Sequence, residues 1–197
     1  TSGKLTVATE HGITYQSHFL NDDHNLQAQA LMQLTTTTSH SQYVKKQGLP
    51  SSDITDATAT GYISGTENGN SNAKTLGWMG RVHYRFQGRY IFDANVRVDG
   101  STQFGPSNRY GFFPGVGGKW IISDEPWLNK YTGKVLTLLA FRPSWGIAGR
   151  QPGKNYLQYS LLTTNSTGYM DLSAVYPTRI RLDGLKWEKV TSLNLGF

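Results

Sequence analysis

Leu76-Gly77-Trp78-Met79-Gly80-Arg81-Val82-His83-Tyr84-Arg85-Phe86 and Tyr90-Ile91-Phe92-Asp93-Ala94-Asn95-Val96-Arg97-Val98 flank a three-residue link, Gln87-Gly88-Arg89. Taken two at a time, the first run sets Leu76, Trp78, Gly80, Val82, Tyr84 and Phe86 against Arg81, His83 and Arg85. The second sets Tyr90, Phe92, Ala94, Val96 and Val98 against Asp93, Asn95 and Arg97. A period of two is the mark of a strand whose two faces meet different surroundings. The short link with its central glycine joins the two strands into a hairpin.

The same alternation extends outward in both directions. Strands are expected near 5–19, 25–38, 76–86, 90–98, 109–122, 135–148 and 185–197. The one at 135–148 is the least regular, because Leu136 and Leu138 interrupt its polar face and Pro143 removes a ladder donor. In the strand from Tyr110, Phe113 and Ile121 likewise intrude on the face that carries Gly111, Gly115, Gly117 and Lys119. Short links, such as 21–23 and 87–89, alternate with long loops at 39–75, 99–108 and 149–184.

Composition narrows the class. The 197 residues hold 37% apolar and only 16% charged residues with 22 glycines, below the soluble average on both counts. No apolar run is long enough for a membrane-spanning helix, so a closed barrel is the spanning structure open to the chain. The net charge of +6 is scattered, with only Lys45-Lys46 adjacent, which argues against a nucleic-acid surface. With no cysteine there is no disulfide framework and no thiolate metal site. The chain opens at Thr1 without Met, and it is expected to come from a longer product.

Three features together predict an all-β, antiparallel transmembrane barrel. Outer-membrane barrels keep turns short on the periplasmic side and loops long outside, as the connections here alternate. Aromatic residues gather near the strand ends: Phe86, Tyr90 and Trp120, with Phe19 and Trp127, on the short-turn side, and Trp78, Tyr110, Trp145 and Trp187 on the long-loop side. These are the expected interface girdles. Arg81, His83, Arg85, Asp93, Asn95, Arg97, Lys119 and Arg142 then face the lumen, and so many polar groups need a lumen wide enough for water or a plug. Seven is an odd number of strands where bacterial single-chain barrels use even numbers, so further strands are expected.

The run from Gly88 to Pro114, with Asp99-Gly100-Ser101, Phe104-Gly105 and Asn108-Arg109-Tyr110-Gly111-Phe112 in order, resembles the barrel hairpin of SusC/RagA-family TonB-dependent transporters. Gly118-Lys119-Trp120 to Trp127-Leu128, Arg142-Pro143-Ser144-Trp145-Gly146 and Leu185-Lys186-Trp187-Glu188 follow in the family's order. Departures are Pro143, where the family usually has Ala, and Gly115, Gly117 and Gly118, where Ser or Ala is usual; they bear on local strand register. The resemblance implies a 22-strand type of barrel in the outer membrane, importing polymeric glycan or peptide nutrients beneath a SusD-like surface lipoprotein. Energy would come from the TonB complex, through a plug and a TonB-contacting segment outside this chain. It implies no cofactor.

Residue chemistry adds no catalytic signal. His11, His18, His24, His40 and His83 lack metal-ligand spacing, and no nucleophile motif occurs. Asp124 and Glu125 are expected to cap and solvate a turn beside Pro126. Asp99-Gly100-Ser101 reads as turn chemistry. In the long loops Tyr43, Tyr62, Tyr156, Tyr159, Tyr169 and Tyr176 are candidates for stacking on cargo or packing on the lid protein. A secreted carbohydrate-binding β-sandwich, and an outer-membrane barrel of assembly or adhesion type ending at Phe197, are the competing readings.

Overall fold

The computed structural model describes the chain apart from residues 21–22, 49–50, 52, 54–55, 57–60, 129–137 and 166–173. Among the described residues there are nine strands: β1 (Ser2–Phe19), β2 (His24–Gln47), β3 (Tyr62–Phe86), β4 (Tyr90–Ser101), β5 (Tyr110–Ile121), β6 (Ala140–Arg150), β7 (Leu161–Asn165), β8 (Ala174–Arg179) and β9 (Glu188–Gly196). Seven of them form one antiparallel meander in the order β1-β2-β3-β4-β5-β6-β9, and β7 and β8 make a separate two-stranded hairpin. No described helix is long and apolar enough to cross a membrane.

The hairpin that opened the sequence reading pairs Phe86 with Tyr90 and Trp78 with Val98. Gln87 and Gly88 both take positive φ, 49° and 69°, the backbone hand that suits the right-handed twist of the flanking strands.

Register shows how the faces line up. Antiparallel partners point to the same side, so the printed pairs can be followed across the sheet. One row reads Tyr15, Ala28, Val82, Ala94, Val116, Trp145 and Leu193. The adjacent row of the opposite face reads Gln16, Gln27, His83, Asp93, Gly117, Ser144 and Asn194. In these rows one face is apolar and the other polar through all seven strands, and two levels along, the polar face is interrupted by Leu31, Met79 and Phe113. Pro143 and the glycines of β5 do not slip the register: Gly117 with Ser144 and Trp120 with Phe141 keep one offset.

Several boundaries differ from the sequence reading. The 39–75 loop is largely strand, since β2 continues to Gln47 and β3 begins at Tyr62, with an irregularity at Lys45/Lys46. The pairs from Thr35 with Thr75 to Gln47 with Tyr62 are mostly polar on both faces. Nothing there alternates because both sides meet the same surroundings, and the backbone ladder alone extends the hairpin. β4 likewise reaches Ser101 in the 99–108 loop, and the 149–184 loop contains β7 and β8. β6 starts at Ala140, and the stretch 135–137 lies outside the described residues.

The only cluster of buried apolar side chains among the described residues is Phe104, Phe113 and Trp187, with Ile147 and Leu185 against it. A sheet with two exposed faces has no core between layers, so this cluster forms where a loop folds back over it.

Candidate functional site

Three parts of the sheet carry chemistry: the polar face, the short-turn end and the long-loop end. On the polar face, register sets Arg81 opposite Asn95, His83 opposite Asp93, Arg85 opposite Ile91 and Arg97 opposite Phe113. All eight residues read as lumen-facing share this side, Lys119 through Ile91 and Arg142 through the Ser144 row. Asp93 Oδ1 accepts from Arg81 Nη2 at 3.2 Å and lies 2.9 Å from His83 Nδ1. Arg97 Nε donates to Asp99 at 2.7 Å. These are half-exposed pairs, each worth at most about 1 kcal/mol.

At the short-turn end the aromatics form a ladder along the apolar face. Phe19 stacks on His24 at 5.0 Å, His24 meets Phe86 at 4.7 Å, Phe86 meets Tyr90 at 6.0 Å and Tyr90 meets Trp120 at 6.3 Å. His24 Nδ1 lies 2.7 Å from the Tyr84 hydroxyl. Amphipathic rings in one row suit a boundary where one side is apolar and the other wet.

Glu125 ties the next turn to this ladder. Its Oε1 accepts from the Tyr90 hydroxyl at 2.5 Å and Trp120 Nε1 at 3.0 Å, and its Oε2 accepts from Arg89 Nη1 at 3.1 Å. Arg89 also donates to the Gln87 side chain and lies over the Tyr90 ring. Glu125 was expected to solvate a turn, but it is 6% exposed. Burial is tolerated because three donors converge on the carboxylate. The Tyr90 hydroxyl first, then the Trp120 N–H, with the Arg89 charge adding, hold the Glu125 carboxyl below the usual carboxylate range against the opposing effect of burial. A depressed pKa contributes stability above the ordinary carboxylate value that is lost as pH falls through the folded one. Acid titration of Trp fluorescence in the full-length protein should therefore show the turn loosening below the ordinary carboxylate range. Glu125→Gln should abolish that acid step and weaken the turn at neutral pH, and an unchanged step would assign it elsewhere.

At the long-loop end two of the girdle residues stand elsewhere than expected. Trp187 is 9% exposed, stacked on Phe104 at 4.7 Å and edge-on to Phe113 at 5.3 Å, with Nε1–H donating to the Arg109 carbonyl at 3.1 Å. It sits on the polar face with Phe113 and is not a girdle residue, because the chain folds back over the sheet before β9 begins. Trp145 lies midway along β6, in the Val116 row, not at the strand's long-loop end. Trp78 and Tyr110 remain near that end on the apolar face, opposite Val98 and Gly100. The intrusion of Phe113 into the polar face was the one signal in the sequence for this cluster.

A second layer of contacts pins the segment after β6 across the sheet. Asn155 Nδ2 donates to Ser71 Oγ and its Oδ1 accepts from Gln103 Nε2, both at 2.5 Å. The Tyr156 hydroxyl accepts from the Asn72 N–H at 2.7 Å, and Gln158 Nε2 donates to the Thr102 carbonyl at 3.1 Å. Arg179, at the end of β8, donates to the Tyr156 carbonyl. Tyr156 holds φ 62°, a left-handed conformation that a tyrosine keeps only where its surroundings impose it. Nothing in local periodicity pointed to Asn155, Gln103 or Gln158.

The tyrosine candidates do not form one site. Tyr156 and Tyr159 are ring neighbours at 6.5 Å. Tyr43 pairs opposite Glu67 far along the β2–β3 hairpin, and Tyr62 at its tip donates its hydroxyl to Gln47 at 2.8 Å. Tyr176 lies on β8 opposite Thr163. Tyr159 and Tyr176 are exposed, and Tyr169 lies outside the described residues.

No family model matches the chain. Among curated proteins, the TonB-dependent receptor SusC of Bacteroides thetaiotaomicron is 34% identical over 127 residues, 61% of this chain and 12% of that protein. The TonB-dependent receptor P3 of Formosa agariphila is 32% identical over 121 residues, 60% of this chain and 12% of that protein. Among solved structures, the RagAB peptide transporter superposes with a TM-score of 0.83 at 23% identity, over 98% of this chain and 21% of that one. The RagAB peptide importer in its "open-open" state gives 0.80. The chain thus spans about an eighth of the length of the curated relatives it matches. The aligned sequence, the two-faced meander and its fit to a fifth of a RagAB chain agree: the chain has the fold of a β-barrel wall segment and is similar in sequence to TonB-dependent receptors of the SusC kind.

Proposed function

We propose that this chain forms wall and loops of an outer-membrane importer that takes up polymeric glycan or peptide nutrients by a TonB-dependent route, with a SusD-like surface lipoprotein as lid. The observation that carries this reading is the continuous apolar face across seven strands, edged by an aromatic ladder, with charged and amide side chains on the opposite face. A water-soluble sandwich would bury that apolar face against a second sheet, whereas here Ile13, Val82, Phe92, Val116 and Leu193 are exposed. Lipid is the surrounding that accepts such a face. The relatives are transporters or receptors by name, which agrees with a non-enzymatic role.

In this reading the eight polar-face residues line the lumen, the Phe86–Tyr90–Trp120 row sits at the periplasmic interface, and Trp78 and Tyr110 sit at the outer one. Tyr159 and Tyr176 are presented to cargo or lid, while Tyr156 positions the loop that carries them.

Cysteine labelling in intact cells tests the orientation. Asn68→Cys, on the exposed β2–β3 hairpin, should react with a membrane-impermeant thiol reagent from outside. Asp23→Cys, at the opposite β1–β2 turn, should react only after the outer membrane is permeabilised. The reverse pattern would invert the topology, and equal reactivity of both would remove the membrane reading.

A further inference from the structure

Of the seams in the seven-stranded sheet, the one between β5 and β6 is the least paired. Its register joins Gly115 with Gly146, Val116 with Trp145 and Gly117 with Ser144, then skips to Trp120 with Phe141 and Ile121 with Ala140. On its other side β5 is paired with β4 without a skip, from Tyr110 to Trp120. The skipped levels hold Pro143, which brings no N–H to a ladder, and set Lys119 across from Arg142, like charges that oppose close pairing. Beyond Gly115 and Gly146 the two strands part. Among the described residues, 110–114 are paired only with β4 and 147–150 only with β9. A zipper of three pairs thus closes the wall between a gap below and a split above.

The zipper is thin. Gly115, Gly117 and Gly146 bring no side chains to it, and glycine within a strand weakens it. The wall is hollowed on both sides here, by about 420 Å³ on the polar side beside Asn95, Ser192 and Asn194 and by about 290 Å³ on the apolar side beside Phe92, Pro143 and Trp145. The split above is closed by a side chain in place of a ladder. Phe113 is buried, and a Cβ at Gly111 on β5 or at Gly149 on β6 would run into its ring, so the ring touches both strands. Phe104, Trp187 and Ile147 complete its surroundings.

We propose that the wall parts along this seam in the working barrel: β5 and β6 separate from the outer rim down to Pro143, the mouth widens, and the Phe113 ring is the latch. The inference rests on the barrel reading above. The level suits an opening at the outer rim, because Phe113 lies opposite Arg97 and Arg97 opposite Met79, next to Trp78 on the long-loop side. Parting costs little here, since three pairs separate and water on the lumen side can take up the freed backbone groups. A side-chain latch releases without breaking any ladder, whereas every other seam would have to break a longer one.

Hydrogen exchange on the full-length protein in lipid vesicles tests this. The amides of Gly115, Val116, Gly117, Ser144, Trp145 and Gly146 are expected to show protection factors roughly tenfold below those of Arg81, Val82 and His83, which lie at the same levels on β3. A Cβ on Gly117 would lie 3.6 Å from the Ser144 Cβ, within the span that a disulfide bridges. Oxidising Gly117→Cys with Ser144→Cys should therefore bring the remaining zipper amides up to the β3 level, and reduction should reverse it. Phe113→Ala should lower zipper protection further and leave Arg81, Val82 and His83 unchanged. Only barrels that keep heat-modifiable mobility on gels are compared, so misfolding cannot imitate opening. Zipper protection equal to that on β3, no response to the disulfide, or a Phe113→Ala loss that spreads equally to β3 would overturn the proposal. Val82→Cys in native outer membranes separates the two failures: it stays unreactive to a water-soluble thiol reagent if the chain is a lipid-embedded barrel, whatever the seam does, and reacts if the barrel reading itself is wrong.

Discussion

Trp187→Ala in the full-length protein is expected to cost about 3–5 kcal/mol, the largest loss of any single truncation in this segment. Trp187 closes the one buried apolar cluster among the described residues: Phe104 is fully buried, Phe113 is 5% exposed, and both lie against the indole. Removing the indole opens a cavity on the polar face, exposes both phenylalanines and leaves the Arg109 carbonyl without its donor. The glycines around the cluster sharpen the expectation. A Cβ at Gly111 or Gly149 would run into the Phe113 ring, so Gly111→Ala and Gly149→Ala should disturb the same packing from the other direction. Urea unfolding and limited proteolysis of the 149–184 region would read the effect. Wild-type resistance in Trp187→Ala would show that the loop layer is held by the polar contacts of Asn155, Tyr156 and Gln158 alone.

Val82→Arg is expected to cost about 2–4 kcal/mol in refolding of the full-length barrel into lipid vesicles, as for a charge near the middle of a lipid-facing strand. Val82 lies in the row with Tyr15, Ala28, Ala94 and Val116, well inside the ladder at Phe86. Thr14→Arg is the control, because Thr14 pairs with Gln29 on the polar face at nearly the same level. It should shift stability by no more than about 0.5 kcal/mol. Equal costs at the two positions would mean that the faces do not meet different solvents.

The two faces were legible in the sequence because alternation is local. A residue and its second neighbour share a face whatever the rest of the chain does, so Val82, Tyr84 and Phe86 declare the apolar side before any partner strand is known. The tight turn at Gln87-Gly88 and the order of the strands were legible for the same reason, since short links leave few ways to connect antiparallel neighbours. Alternation could not reveal how far β2 and β3 continue past Thr35 and Thr75, because both faces there are polar and the pattern that marks a strand vanishes although the ladder persists.

Tertiary structure decided what depends on pairing across long stretches of chain. Glu125 looked like a solvated turn residue until the fold brought Arg89 and Tyr90, thirty-six and thirty-five positions earlier, onto its carboxylate. Trp187 looked like a girdle residue until the chain crossed back over the polar face and met Phe113 and Phe104, and Asn155 carried no signal until Ser71 and Gln103 lay beside it. The sequence by itself determined the period, the two faces and the family likeness. The buried carboxylate, the aromatic cluster and the pinned loop came only with the register, because burial is a property of what covers a residue and not of its neighbours in the chain.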